Sequence, residues 1–197
     1  MILNFFLGLM ITVTAFQSGT WEYQFEKEEV KVYTKHVDGS SFKAFKGETV
    51  LMVSAEKIAK QILDIDSYPQ WCYRTTSTKI LKKDNNTVYY YYISATPPLV
   101  KNREAYFFNE LSPATTNGNI TIKIGTYQSN EPVPSGYVRI PFSKGYWTLK
   151  PLSENKTLVV FEMQADPGGI IPSWLANMAS SDSPWITIDN LRKILSK

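Results

Sequence analysis

The two residue types that most often bind metal or carry thiol chemistry are scarce in this chain, which bounds catalysis without excluding it. There is one His, His36, and one Cys, Cys72. A single Cys excludes an intrachain disulfide and a Cys-based zinc site, and a single His excludes a His-cluster metal centre. Cys72 has no His near it in pattern, so thiol catalysis has no base. His36 sits beside a turn and reads as an exposed loop residue. No cofactor is expected.

What remains is the chemistry of recognition. Arg103 opens an apolar strand, with Ala105 and Phe107 on its face. A guanidinium pointing inward must be paired or hydrogen-bonded. We read Arg103 as an anchor for a head group or carboxylate, against a structural ion pair with Glu104 exposed beside it. On the first reading, Arg103→Leu costs affinity and spares stability. Tyr89 and Tyr91 share one face of a tyrosine run, and Tyr90 and Tyr92 share the other. Only one pair can line a pocket, and we assign Tyr89 and Tyr91 to it. Arg139 is a second candidate inward cation. Asp and Glu fall mainly on outward faces, turns and helix surfaces, so no acid–base pair stands out.

Composition bounds the fold that positions these groups. The 197 residues fit one domain, or one domain plus a targeting segment. The 43% apolar share is enough for a real core. With 21 Lys and Arg against 18 Asp and Glu, the net charge is +3, too small an excess to mark a nucleic-acid interface. Aromatics make up 14%, with 12 Tyr, and such residues suit pleated, half-buried surfaces.

Residues 2–16 read ILNFFLGLMITVTAF, and no charged side chain precedes Glu22. This run is short of the roughly 20 residues of a membrane span. It suits the apolar region of a signal peptide, so residues 1–19 are expected to direct export to a periplasmic or secreted location. Residues 20–197 then form the domain.

Residues 29–35 and 42–53 read as a hairpin across turn chemistry. Ser54 caps a helix to about residue 64, with Ala55, Ile58, Ala59, Ile62 and Ile65 at helical spacing. Strands follow at 76–83, 87–95, 104–111, 119–128, 145–152 and 157–165. In the last, Val159, Phe161, Met163 and Ala165 share one face. From Ile171 the period becomes helical, through Trp174, Leu175, Met178, Trp185, Ile188, Leu191 and Leu195. Asp182-Ser183-Pro184 interrupts it, so a kink or break is expected near Ser183. Sequential strands pair, giving one antiparallel sheet with a face to bury. The carboxy-terminal helix is the only large cover late in the chain. The class is α+β, a curved sheet gripping one long helix, with space for a ligand between them.

Four stretches carry a family likeness. They are Leu63-Asp64 with Tyr68-Pro69-Gln70-Trp71, and Tyr89-Tyr90-Tyr91 with Pro97-Pro98 and Arg103-Glu104. The others are Gly145-Tyr146-Trp147, and Asp166-Pro167-Gly168-Gly169 with Pro172, Trp174 and Asn177. In this order they resemble the START domains, the lipid-transfer domains related to the steroidogenic acute regulatory protein, over roughly residues 21–195. Glu104 departs from the usual Asp. Ile93-Ser94 stands where some animal members carry an acid that pairs with the pocket Arg. The resemblance implies a helix-grip fold with a hydrophobic ligand in a tunnel under the last helix. Met163, Ile171, Leu175 and Met178 then line that tunnel, with Arg103 and Phe107. Trp71, Trp147 and Trp174 read as core. The implied protein is a monomeric, non-enzymatic binder of a lipid or small hydrophobic ligand, with transient membrane contact. The alternatives are an enzyme of the same fold, such as a cyclase, dehydratase or hydrolase, and an interaction module using exposed aromatics.

Overall fold

The computed structural model describes residues 19–171 and 173–196, with the side chains of 173–179 left aside. Apart from Gly19, the expected targeting segment lies outside the described residues. The strands are β1 (Glu22–Lys27), β2 (Val30–Lys35), β3 (Ala44–Leu51), β4 (Thr75–Asp84), β5 (Thr87–Ser94), β6 (Asn102–Leu111), β7 (Ile120–Thr126), β8 (Tyr137–Arg139), β9 (Phe142–Ser153) and β10 (Lys156–Asp166). Helices α1 (Ala55–Leu63) and α2 (Tyr68–Trp71) precede β4, and α3 (Ser173–Leu195) ends the chain.

All ten strands form one sheet, in the order β1-β2-β3-β10-β9-β7-β6-β5-β4, with every neighbouring pair antiparallel. β8 lies off this path and pairs with β6 in parallel. The expected α+β class and curved antiparallel sheet over a carboxy-terminal helix hold. Two strands, β1 and β8, had no counterpart in the sequence pattern. β1 is an edge strand whose residues are mostly exposed on both faces, so no alternation marks it.

One face of the sheet is the core. Val159 and Phe161 of β10, Trp147 and Leu149 of β9, Ile120, Ile122 and Ile124 of β7, and Ala105 and Phe107 of β6 are buried there. Trp147 and Phe161 stack with ring centres 4.2 Å apart. Trp71 packs edge-on against Trp147 at 6.2 Å, confirming both as core. α1 begins where the Ser54 hydroxyl accepts from the Lys57 amide at 3.3 Å, and it buries Ala55, Ile58, Ala59 and Ile62.

α1 ends at Leu63, close to the expected residue 64, and the chain then makes a 3-10 turn at Ile65–Ser67 and α2. Both are pinned by buried polar contacts. The Tyr68 hydroxyl donates to the Ile62 carbonyl (2.8 Å), the Asn109 amide donates to the Tyr68 hydroxyl (2.6 Å), and the Tyr90 hydroxyl donates to Asn109 Oδ1 (3.1 Å). This chain of bonds ties α1 and α2 to β5 and β6, toward the β4 edge of the sheet.

α3 runs as one helix through Pro184, so of the kink or break expected near Ser183 the break does not form. A proline inside a helix loses one hydrogen bond and crowds the turn before it. Here its ring faces a gap left on β3. A Cβ built on Gly47 would lie 2.7 Å from Ile188 Cδ1 and 3.0 Å from Pro184 Cβ. Gly47→Ala therefore pushes α3 off the sheet, and should destabilise by about 1–3 kcal/mol. The check is a lowered urea midpoint with an unchanged slope. The remainder of α3 is held by buried Ile188, Leu191 and Leu195. The Asn190 amide also donates to the Trp71 carbonyl at 3.2 Å, and Arg192 donates to the Glu28 carbonyl at 2.8 Å.

Candidate ligand-binding cavity

Between the sheet and α3 lie two voids. The outer one, about 200 Å³, is walled by β5, β6, β10 and α3 and by the segments around residues 42–45, 73–74, 95–96 and 167–171. The inner one, about 120 Å³, lies deeper, between Trp71, Phe107, Trp147, Phe161 and Thr187. The two share Tyr73, Tyr92, Ile140, Met163, Ala165 and Ser183 as walls. A larger depression of about 920 Å³ flanks α1 between Leu63, Ile80 and Leu111, but it is an open groove away from α3.

Arg103 and Ile171 line the outer void, Phe107 the inner, and Met163 both. Leu175 and Met178 lie among the side chains outside the description, as does Trp174.

Tyr89 and Tyr91 require correction. β5 pairs with β6 so that Tyr90 sits opposite Phe107 and Tyr92 opposite Ala105. Directly opposed residues point to the same side of a sheet. Tyr90 and Tyr92 therefore share the face of Arg103 and line the inner void, with Tyr92 also reaching the outer one. Tyr89 and Tyr91 stand on the outer face of the sheet. There Tyr89 packs on Tyr127 (5.4 Å between rings) and Tyr91 on Tyr106 (5.2 Å).

Arg103 is 4% exposed. Its Nε donates to the Pro167 carbonyl (3.1 Å), Nη2 to the Gly168 carbonyl (3.1 Å) and Nη1 to the Lys101 carbonyl. Its opposite number on β5 is Ser94, and no carboxylate pairs with it among the described residues. Burial lowers the pKa of the guanidinium, yet an arginine stays charged throughout the useful pH range. The Gly168 corner that offers its carbonyl is at φ 68°, and a Cβ there would collide with the Arg139 carbonyl. The Gly168 amide is held by Asp166 Oδ1 at 2.8 Å.

Glu104 and Arg139 form the ion pair, on the opposite side of the sheet. Glu104 is fully buried, not exposed as expected, and its Oε1 accepts from Arg139 Nε at 2.6 Å. Arg139 Nη1 also donates to the carbonyls of Ser129 (3.2 Å) and Glu131 (2.9 Å). So Arg139 is not an inward cation. Its residue follows Val138 on β8, which sits beside Arg103 in register. Tyr91 lies near Glu104, and burial with that neighbouring charge pushes its pKa up to about 12.

Four titratable groups at the inner void are held neutral by burial. Burial raises the pKa of Tyr68, Tyr90 and Tyr92, and pushes the Cys72 thiol up to about 11. The folded state keeps the Cys72 proton that an unfolded chain releases near its ordinary value of 9.0. Stability should therefore fall as pH rises from about 9 through about 11. At pH 8, alkylation of Cys72 by a small reagent should be slow in the native protein and fast in urea; equal rates would show an open thiol. Among the described residues, no group of three or more His, Cys, Asp or Glu is placed to hold a metal.

A half-enclosed apolar cavity, walled by a curved antiparallel sheet and capped by a carboxy-terminal helix, defines a helix-grip domain. Comparison with known proteins names the family. The START domain model matches residues 11–194, and the chain belongs to the START domain family. A STAR-related lipid transfer protein from Xanthomonas axonopodis (fragment 25–204) superposes with a TM-score of 0.82 at 33% identity, over 90% of this chain and 99% of that one. Human STARD10 superposes at 0.78 with 20% identity, over 90% of this chain and 73% of that one. The Zhui aromatase/cyclase of Streptomyces sp. R1128 shares the fold at 0.57 and 12% identity, over 78% of this chain and 93% of that one. A Pseudomonas aeruginosa protein of uncharacterised function is 28% identical over 177 residues, 90% of this chain and 87% of its own.

Proposed function

We propose that this protein is an exported, non-enzymatic carrier that holds a lipid or other small hydrophobic ligand between its sheet and α3. The observation that carries the reading is the pair of adjoining voids with aromatic and aliphatic walls in a member of the START family. The family likeness to a STAR-related lipid transfer protein supports it. An enzyme of the same fold needs a positioned acid–base pair. The described walls offer no carboxylate, and burial keeps the Cys72 thiol and the hydroxyls of Tyr68, Tyr90 and Tyr92 protonated.

The outer void, about 200 Å³, is smaller than the roughly 300–1,000 Å³ of most ligand pockets. A longer ligand therefore has to merge the two voids. Met163 borders both and is an adaptable side chain, so it is the natural partition to move. The front of α3 and the neighbouring loops are the gate in this proposal. Hydrogen exchange slowed by ligand only in that front part supports it, and uniform exchange along α3 in both states rejects it.

We further propose that two loops make the membrane contact during exchange. Leu99 and Ile170 are both essentially fully exposed. Their loops are stitched together by Arg103, which bonds the carbonyls of Lys101, Pro167 and Gly168. Apolar tips on loops at a cavity mouth fit the edge of a bilayer. The paired change Leu99→Asp with Ile170→Asp should slow ligand transfer between vesicles about tenfold or more and leave equilibrium affinity in solution unchanged. Unchanged transfer rates would remove these loops from the exchange route.

The central test is native mass spectrometry of the purified protein, with extraction of whatever co-purifies, followed by titration with a panel of fluorescent fatty acids and sterols. Saturable binding near one ligand per chain is expected. A panel with no saturable member rejects the carrier reading. Amino-terminal sequencing of the exported protein checks the signal segment.

A further inference from the structure

The chain has four arginines, Arg74, Arg103, Arg139 and Arg192. Two are neutralised. Arg139 pairs with Glu104 at 2.6 Å, and Arg192 pairs with Asp189 at 3.3 Å. The other two have no carboxylate at ion-pair distance among the described residues. Both of these, Arg74 and Arg103, line the outer void. Lys43 lines it as well, and its carboxylate partner is Glu22, 3.7 Å away on a largely solvated pair. No described Asp or Glu lines either void.

That distribution is informative because charge in a wall poorly screened by water acts strongly on whatever enters. An apolar ligand gains nothing from three cations, and a cationic one is repelled. The geometry of the arginines adds to this. The Arg103 guanidinium has five N–H donors, and the carbonyls of Lys101, Pro167 and Gly168 take one on each nitrogen. One N–H on each terminal nitrogen is left to donate to an oxyanion. Arg74 is held at φ 54°, a left-handed conformation uncommon for a residue with a side chain. Its carbonyl accepts from the Ala95 amide at 2.9 Å and its Nε donates to the Tyr73 hydroxyl at 2.9 Å. Backbone strain of this kind concentrates at binding sites.

Resting on the carrier reading, we propose that the ligand is an organic anion, with a carboxylate or phosphate held by Arg103, Arg74 and Lys43 and an apolar tail directed past Met163 into the inner void. The polar end belongs in the outer void, where the cations are. The tail belongs in the inner one, between Phe107, Trp147 and Phe161.

The test uses four probes of one chain length: decanoate, decyl phosphate, decanol and methyl decanoate, titrated calorimetrically into the wild-type protein. At least one of the two anions should bind about tenfold or more tightly than either neutral probe. The tighter anion distinguishes a carboxylate ligand from a phosphate ligand. Arg74→Gln and Lys43→Gln should each lower the ratio of anion to decanol affinity several-fold. Added salt should weaken the anions alone. Equal binding of anions and neutrals overturns the anion proposal and leaves the carrier reading standing. No saturable binding by any probe overturns both. Because the anion-to-neutral ratio is read first on the wild type, the proposal does not depend on either variant folding.

Discussion

Arg103→Leu should lower the melting temperature markedly and weaken binding of the ligand's polar end in the same protein. The sequence alone implies a loss of affinity with stability spared. The structure changes that expectation, because Arg103 closes two loops as well as facing the outer void. Its three carbonyl partners belong to Lys101, Pro167 and Gly168, on segments more than sixty residues apart in sequence. Leucine fills the space and donates nothing, so three acceptors lose a charged donor. Hydrogen bonds to charged groups are worth about 1.5–3 kcal/mol each, and acceptors left at a cavity rim regain part of this from water. A loss of about 2–4 kcal/mol is expected. For a chain of this size that is a drop of about 5–15 °C in Tm. Arg103→Lys keeps the charge without the fork, and should fall between the two in both stability and affinity. Calorimetric melting alongside ligand titration checks it. An unchanged Tm in the leucine variant would mean that the loops hold their geometry without the guanidinium.

The different fates of Arg103 and the tyrosines mark how far the sequence is legible. Alternation along β10 places Val159, Phe161, Met163 and Ala165 on one face, and the structure puts three of those four at the void walls. A strand buried on one side carries its own phase. The tyrosine run does not, since tyrosine is at home on both faces of a sheet. Its phase is set by pairing with β6 across the loop of residues 95–101, whose conformation includes Leu99 at φ 73°. No local pattern reveals that register. β8 is invisible for a related reason: it has three residues and pairs in parallel with β6 over a long sequence separation. Pro184 is a third case. Its effect on α3 depends on Gly47, a residue of another element that leaves room for the ring. Arg74 carried no signal as a site residue because it lies at the edge of β4, and only the packing of α3 and the 94–96 segment encloses it with Arg103.

Glu104 shows the same limit from the opposite side of the sheet, and it carries the second large effect. An acid on an outward position of β6 reads as solvent-facing. The segment leading through Glu131 to β8 folds over it, and Glu104 ends with no exposed surface. Its Oε1 accepts from Arg139, while Oε2 has no hydrogen-bond partner among the described residues. Removing one member of a buried pair strands the other, at about 3–5 kcal/mol. Arg139 keeps 22% of its side chain exposed and two backbone acceptors, so it recovers part of that loss. Glu104→Ala should therefore cost about 3 kcal/mol, and Glu104→Gln, which preserves shape and one acceptor, about half as much. The double replacement Glu104→Leu with Arg139→Leu removes both charges and should be more stable than Glu104→Ala alone. Urea unfolding of Glu104→Leu, Arg139→Leu and the double replacement gives the coupling directly. Strict additivity would show that the pair is not interacting across the 2.6 Å contact. Glu104 and Arg103 are neighbours in sequence on opposite faces of one strand, so their variants should part company in binding. Glu104→Gln should lose stability with ligand affinity unchanged, whereas Arg103→Leu should lose both. A common loss of affinity would mean that the two faces are coupled through β6.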